Sequence, residues 1–369
     1  MVEIQRVIRV GIVGFQAGRS WSSVAHVPAL ESLAGSFQIT GVANSSAKSS
    51  SRAAAILGLD KVFENAQQMA ASPDIDLLAV TVKAPDHRAV VEAAFDHGKA
   101  VLCEWPLGID LPEGRDLTNR AGVIGVPAWT GLQAPFSPIV QRAAELVQSG
   151  RLGDLLSIRL SGVGTSWAGV TGSANAYTMD QANGATLLTI PLCHTLAAVE
   201  GIVGRIATVS AVLATRRTTA TDVDRQVEVP VTSPDVVSVS ATTVAGVPMS
   251  IHYTGDHARA EGLVCEISGT AGDLRIVGSH GHAQLAPLSL LWAGKGEDWT
   301  PVSCEISAGE EGLSPGALNV RRLYQALAAD WAHGTRTAPT FADGVRIHQI
   351  AAAIETSHLS GRRVDPWSL

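Results

Sequence analysis

The chain has 369 residues, enough for about two domains with a core each, and its 46 % hydrophobic and 17 % charged content points to a soluble globular protein. A formal net charge of -7 excludes a dedicated nucleic-acid binder, because phosphate neutralisation needs clustered Lys and Arg, and Arg321-Arg322 and Arg362-Arg363 are only short pairs. No apolar run approaches the length of a membrane span, and Glu3, Gln5 and Arg6 stand where a signal peptide would be apolar, so a cytoplasmic protein is expected. The four cysteines, Cys103, Cys193, Cys265 and Cys304, are far apart and lack C-x-x-C spacing, which predicts buried free thiols and no metal site.

In chain order, the first informative stretch is 7–21. Ile8, Val10, Ile12 and Val13 predict a buried parallel strand, and Gly11, Gly14 and Gly18 let the backbone turn sharply and approach a ligand closely. A helix after such a turn offers its first amides and its dipole to a dinucleotide pyrophosphate. The spacing G-x-x-G-x-x-x-G differs from the strict G-x-G-x-x-G fingerprint, and the same glycines also serve tight turns and close helix packing.

Residues 22–34 have helical spacing, with Val24, Val27 and Leu30 on one face, and Gly35 stops the run. Residues 37–43 read as a second strand. The position after it, where an Asp or Glu would bind a ribose 2'-hydroxyl and select NAD, holds Asn44, followed by Ser45, Ser46 and Lys48. Hydroxyls and a cation without a carboxylate suit a 2'-phosphate, so NADP is preferred over NAD; an ordinary turn capping a helix over 49–57 reads from the same residues.

Further strands are expected at 76–82, 100–104 and 126–133, alternating with helices at 86–96, 111–121 and 136–148. Such alternation predicts a doubly wound parallel α/β sheet over residues 1–150, with ligands at the carboxyl ends of its strands. Val82-Lys83-Ala84-Pro85, Glu104-Trp105-Pro106 and Gly131-Leu132-Gln133 would then face the cleft. After Gly153 the pattern becomes β-branched alternation, with strands at 155–161, 207–214, 236–244, 249–253, 263–268 and 273–277. Helices are expected at 185–203, 317–332 and 344–359, and polar 215–229 reads as a mobile loop. Residues 151–369 therefore form an α+β open-sheet domain, with the last helix expected to pack back on the first.

The glycine turn, Ala84-Pro85, the run Gly98-Lys99-Ala100-Val101-Leu102-Cys103-Glu104-Trp105-Pro106 and Ile267-Ser268-Gly269-Thr270-Ala271-Gly272 resemble the glucose-fructose oxidoreductase/inositol dehydrogenase (Gfo/Idh/MocA) family. Gly18-Arg19-Ser20-Trp21, Phe37-Gln38-Ile39, Lys48-Ser49-Ser50, Val82-Lys83, Glu104-Trp105 and His194-Thr195 are similar to its fungal galactose-regulon repressor branch. The family resemblance implies an NAD(P)-dependent oxidoreductase moving hydride between nicotinamide and a carbonyl or hydroxyl carbon of a sugar-like or other small organic substrate. It also implies a homo-oligomer, dimer or tetramer, built through the second sheet. The repressor branch implies the alternative, a non-catalytic dinucleotide-binding regulator.

Residue by residue, the resemblance assigns cofactor binding to Gly11, Gly14, Phe15, Gly18, Arg19, Ser20, Trp21, Asn44, Ser45, Ser46, Lys48, Val82, Lys83, Pro85, His87, Glu104, Trp105 and Gln133. Most dehydrogenases of the family carry Glu-Lys-Pro where this chain has Glu104-Trp105-Pro106, and an indole cannot relay a proton at neutral pH. His194 matches the histidine of the family's Asp-x-x-x-His pair and becomes the acid/base candidate, although Ile190 replaces the aspartate; Lys83 is the second catalytic candidate. Trp105, Trp167, Tyr177, Asn183 and His194 are expected to wall the substrate pocket. His252, His257, His280 and His282 have no carboxylate or thiolate at ligand spacing, so no metal is expected.

Overall fold

The structure, a computed structural model, describes residues 6–256 and 262–369. Glu3, Gln5 and His257 lie outside these. The chain forms two compact units, one running up to Leu132 and taking in Ser307–Val345, the other comprising Gln133–Ile306 and Arg346–Leu369.

The first unit contains β1 (Ile8–Val13), α1 (Val27–Glu31), β2 (Phe37–Ala43), α2 (Ala47–Leu57), α3 (Ala66–Ala71), β3 (Leu77–Val80), α4 (His87–Asp96), β4 (Ala100–Glu104), α5 (Leu111–Ile124) and β5 (Ala128–Gly131). All five strands are parallel, in the order β2-β1-β3-β4-β5. They are short apolar runs because both faces of the sheet are covered: every residue of β3 and β4 is buried. The order reverses direction between β1 and β3, which opens a crevice at their carboxyl ends.

The helix expected at 22–34 is present as a continuous helical run from Ser22 to Glu31, in two pitches. Residues Ser22–His26 form a π-turn in which the Val27 amide donates to the Ser22 carbonyl, and α1 then starts with Pro28 in its first turn. Proline has no amide hydrogen to continue a regular ladder, so the chain changes pitch before it. Helix α2 is capped by Ser46, whose Oγ accepts from the Ser49 amide at 3.3 Å, and it closes on Gly58 at φ 65°.

The second unit begins with α6 (Pro138–Gln148), β6 (Leu155–Val163), β7 (Val170–Thr171), α7 (Cys193–Val203), β8 (Ile206–Ala214), β9 (Thr219–Asp222) and β10 (Val227–Pro230). It continues through β11 (Val236–Thr243), β12 (Pro248–Thr254), β13 (Leu263–Gly269), β14 (Gly272–Gly278), β15 (Leu288–Gly294) and β16 (Thr300–Val302). The chain ends with α8 (Pro315–His333) and α9 (Phe341–Ser360). Eight strands form one sheet, β16-β15-β14-β13-β6-β12-β11-β8, antiparallel except for the β12–β6 pair. A separate sheet, β10-β9-β7, contains the segment expected to be a mobile loop: Thr219 to Asp222 pairs antiparallel with Val227 to Pro230. The two-residue period there is confined to Val227-Glu228-Val229 and is diluted by Thr219, Thr221 and Asp222, because this small sheet buries little apolar surface.

The expectation that no stretch is long enough for a membrane is also corrected. The 23 residues Gln181–Val203 are long and apolar enough by composition, but 89 % of their apolar window is buried inside the protein, as in a core helix. Pro191 divides this stretch into a π-turn, Leu188–Leu192, and α7.

Candidate dinucleotide cleft and buried histidine cluster

The first strand ends in a turn that only glycine can make. Gly14 has φ 99°, and a Cβ there would stand 2.9 Å from Val82 Cγ1 and 3.0 Å from the Thr81 carbonyl oxygen. Serines fix the loop beyond it. The Ser22 hydroxyl donates to the Gly14 carbonyl at 2.7 Å, the Gly18 amide donates to Ser23 Oγ at 2.8 Å, and the Gln16 amide donates to Ser20 Oγ at 2.8 Å. Asn44 joins this turn to the second strand, accepting from the Phe15 amide at 2.7 Å through Oδ1 and donating to the Phe15 carbonyl at 2.9 Å through Nδ2.

The turn borders a cleft of about 770 Å³ lined by Gly14, Phe15, Gln16, Ala17, Ser20, Asn44, Ser45, Ser49, Arg52, Ala53, Ile56, Val82, Lys83 and Asp86. That volume falls within the range of small-molecule and cofactor sites, roughly 300–1,000 Å³. Its charged lining is Arg52, Lys83 and Asp86, an excess of cation suited to phosphate. Of the expected cofactor residues in this unit, Gly14, Phe15, Ser20, Asn44, Ser45, Val82 and Lys83 line the cleft, whereas Gly11, Gly18, Arg19, Trp21, Ser46, Lys48, Pro85, His87, Glu104 and Trp105 do not.

Several of these have other work. Gly11 packs against Met69, where a Cβ would meet Sδ at 2.7 Å. His87 is buried, with Nδ1 2.9 Å from the Pro106 carbonyl and Nε2 3.1 Å from the Val82 carbonyl. Glu104 is buried and lies 3.0 Å through Oε1 from His26 Nε2, while His26 Nδ1 lies 2.9 Å from the Tyr324 hydroxyl. In a neutral imidazole the Tyr324 hydroxyl donates to Nδ1 and Nε2–H donates to the carboxylate, so every group is satisfied. Trp105 is buried beside Glu104, joined to Pro106 by a cis peptide bond.

Arg52 is the main lining residue that the sequence reading passes over. Ser49, Arg52, Ala53 and Ile56 recur at offsets of three, four and seven, one face of α2, and that periodicity is the signal in the sequence.

In the second unit, Trp167, Tyr177, Asn183 and His194 belong to one neighbourhood. The Trp167 indole donates to the Thr178 carbonyl at 3.3 Å, and Asn183 Nδ2 donates to the Tyr177 carbonyl at 2.8 Å. The Trp167 ring stacks on His282 at 6.2 Å between centroids and 20° between planes. His194 is buried in α7, and its Nδ1 meets no hydrogen-bond partner among the described residues. Burial, and secondarily the nearby His282, push its pKa down to about 3, so the ring is neutral at physiological pH. Gln133, also in this unit, is buried with Oε1 unpartnered. Among the described residues no group of three or more His, Cys, Asp or Glu is placed to hold a metal ion.

A parallel sheet with a glycine turn after its first strand and a phosphate-suited cleft beside it defines a Rossmann dinucleotide-binding unit, here joined to a second, mostly antiparallel sheet unit. Residues 8–131 match the oxidoreductase family with an NAD-binding Rossmann fold, and residues 138–278 match the Gal80p C-terminal domain. The galactose/lactose metabolism regulatory protein GAL80 of Kluyveromyces lactis is 30 % identical over 79 % of this chain and 68 % of its own length. Dehydrogenase aclE of Aspergillus oryzae is 31 % identical over 55 % of this chain and 57 % of its own.

Among solved structures, a super-repressor mutant of Gal80p from Saccharomyces cerevisiae superimposes with a TM-score of 0.89, at 25 % identity, covering 98 % of each chain. Levoglucosan dehydrogenase in complex with NADH and levoglucosan shares the fold at TM-score 0.82 and 19 % identity, covering 98 % of this chain and 99 % of its own. The chain belongs to the Gfo/Idh/MocA oxidoreductase family, with a second domain of the Gal80p type.

Proposed function

We propose that the protein is an NADP-dependent oxidoreductase acting on the CH-OH or C=O carbon of a small organic substrate. The observation that carries the enzymatic reading is His194: a buried imidazole with an unpartnered Nδ1, on the helix where the family places its substrate histidine. A bound nicotinamide supplies the hydride chemistry. Arg52, with Ser45 and Ser49, supports the NADP preference, because a guanidinium and two hydroxyls beside the end of β2 suit a ribose 2'-phosphate where no carboxylate stands. His194 is proposed to act as a neutral hydrogen-bonding group that polarises the substrate oxygen, and Lys83, lining the cleft, as a cationic helper.

A homo-oligomer through the eight-stranded sheet belongs to the same proposal. It is supported by an open groove of about 670 Å³ on that sheet, bordered by exposed Arg159, Ser238, Ser240 and His252.

A second reading, a dinucleotide-binding regulator without turnover, is favoured by Trp105 in the lysine position, Ile190 in the aspartate position and the likeness to GAL80. Calorimetry with NADPH and NADH, followed by absorbance assays against sugars, inositols, keto compounds and imines, separates the two. Turnover of any substrate supports the oxidoreductase; tight coenzyme binding with no turnover across the panel supports the regulator. No affinity for either coenzyme overturns both.

A further inference from the structure

His282 lies in the turn after β14 and is buried, and its Nδ1, like that of His194, meets no partner among the described residues. Two other buried histidines in this chain look different. His26 and His87 are as deeply buried, and both of their ring nitrogens reach a hydrogen-bonding group. A buried polar atom left without a partner is destabilising, so two in one neighbourhood need an explanation beyond packing.

The His282 ring is packed between neighbours, and the residues beside both histidines are tied together. The His282 carbonyl accepts from the Leu285 and Ala286 amides at 2.9 Å each, and its ring lies between the face of Trp167 and the edge of His280, 5.4 Å away. The Tyr253 hydroxyl lies 2.8 Å from Thr195 Oγ1 and 3.2 Å from the Gly281 carbonyl, tying the residue after His194 to the residue before His282. Gly281 has no room for a side chain, since a Cβ would meet the Val163 amide nitrogen at 2.6 Å.

We infer that His282 is a second substrate-binding imidazole, paired with His194, and that the pair selects an uncharged hydroxy or oxo compound with at least two oxygens over a carboxylate or phosphate ester. The inference rests on the oxidoreductase reading in taking the ligand as its substrate. A neutral imidazole offers one donor or one acceptor at Nδ1, so two rings match two ligand oxygens. Burial and the neighbouring imidazole alone depress the proton affinity of each ring, with no Lys or Arg contributing. An anion placed there would lose its hydration without gaining a counter-charge.

The test uses full-length protein, with and without NADPH, and long-range ¹H–¹⁵N spectra of the imidazoles. The probes are myo-inositol and dihydroxyacetone against D-gluconate and dihydroxyacetone phosphate. The neutral probes should move the Nδ1 signals of His194 and His282 together, and the anions should move neither. His282→Phe, which keeps a ring against Trp167, should weaken neutral-probe binding about tenfold. His282→Asn, whose amide stands near the place of Nδ1, should restore most of it, and NADPH affinity should stay constant in both variants. A response at His194 alone, at neither ring, or equally to the anions overturns the inference. NADPH binding with no imidazole response leaves the coenzyme reading standing without this one, and an imidazole response with no NADPH affinity does the reverse.

Discussion

Asn44 clasps both backbone polar atoms of Phe15, accepting from its amide at 2.7 Å and donating to its carbonyl at 2.9 Å, with a further donation to the Ser49 carbonyl at 3.2 Å. The residue that sequence spacing assigns to the ribose is thus a brace between the glycine turn and the end of β2. Asn44→Asp, the usual way to recruit a ribose hydroxyl, removes the Nδ2 donor and sets a carboxylate against two carbonyl oxygens. It should cost about 1–3 kcal/mol of stability and lower affinity for NADH and NADPH together. Denaturant titration and calorimetry check this; a clean switch to NADH with unchanged stability would show that the brace is dispensable.

Arg52 carries the coenzyme preference in this reading. Arg52→Ala should raise the Kd for NADPH by about tenfold or more, as expected for loss of a charge-assisted contact to phosphate, while NADH affinity barely moves. Arg52→Lys should recover only part of the loss, because an ammonium lacks the planar two-point fork. Equal weakening of both coenzymes would place Arg52 on the shared pyrophosphate instead.

How much of this was legible beforehand follows from chain separation and burial. The apolar strands of the first unit, 100–104 to the residue, stand out because a sheet covered on both faces demands continuous Val, Leu and Ala. The β9–β10 hairpin does not, since β9 is Thr-Ala-Thr-Asp and the alternation of Val227 and Val229 in β10 is only four residues long and largely exposed. Within the site, the glycine turn is readable from local pattern, whereas His194 stands out only through the family resemblance, since a histidine in an apolar helix is by itself an ordinary packed residue. The His26–Glu104–Tyr324 chain is not readable, because its members are separated by 78 and 298 positions and meet only when the fold closes. In the sequence His282 is only a histidine without ligand-spaced neighbours; its bearing comes from an unpartnered nitrogen, which no sequence displays.

Gly131 tests the buried Glu104 directly. A Cβ at this position would overlap the Glu104 carboxylate, so β5 must carry glycine for the His26–Glu104 contact to exist. Gly131→Ala should destabilise the protein by about 1–3 kcal/mol through overpacking in a closed site. Glu104→Gln keeps the shape and an acceptor for His26 Nε2–H, and should cost less. Thermal midpoints of the two variants decide it: if Gly131→Ala melts like the parent protein, Glu104 has room to spare and the contact is not enforced by packing.

Acid should weaken the second unit before the first. His194, His282 and His348, all in the second unit, are depressed by burial to about 3, about 4 and about 3, whereas in the first unit burial lowers His87. A histidine with a lowered folded-state pKa stays unprotonated when the unfolded chain, titrating near 6.5, already takes up a proton. Stability is therefore fully present above about pH 6.5 and drains as pH falls towards the folded values, by on the order of 1.4 kcal/mol per pH unit for each such histidine. The window from pH 6.5 to 5 lies above the range in which Asp76 and Glu310, both lowered by their arginine partners, begin to protonate. Hydrogen exchange at pH 7 and pH 5 should show amides of α7 and β14 losing protection faster than those of β3 and β4. By the same sign, the pH profile of kcat should show no break near 6.5 from His194. Protection that is independent of pH in this window, or a kcat that tracks an imidazole of ordinary pKa, would mean that His194 ionises normally and serves as a proton donor after all.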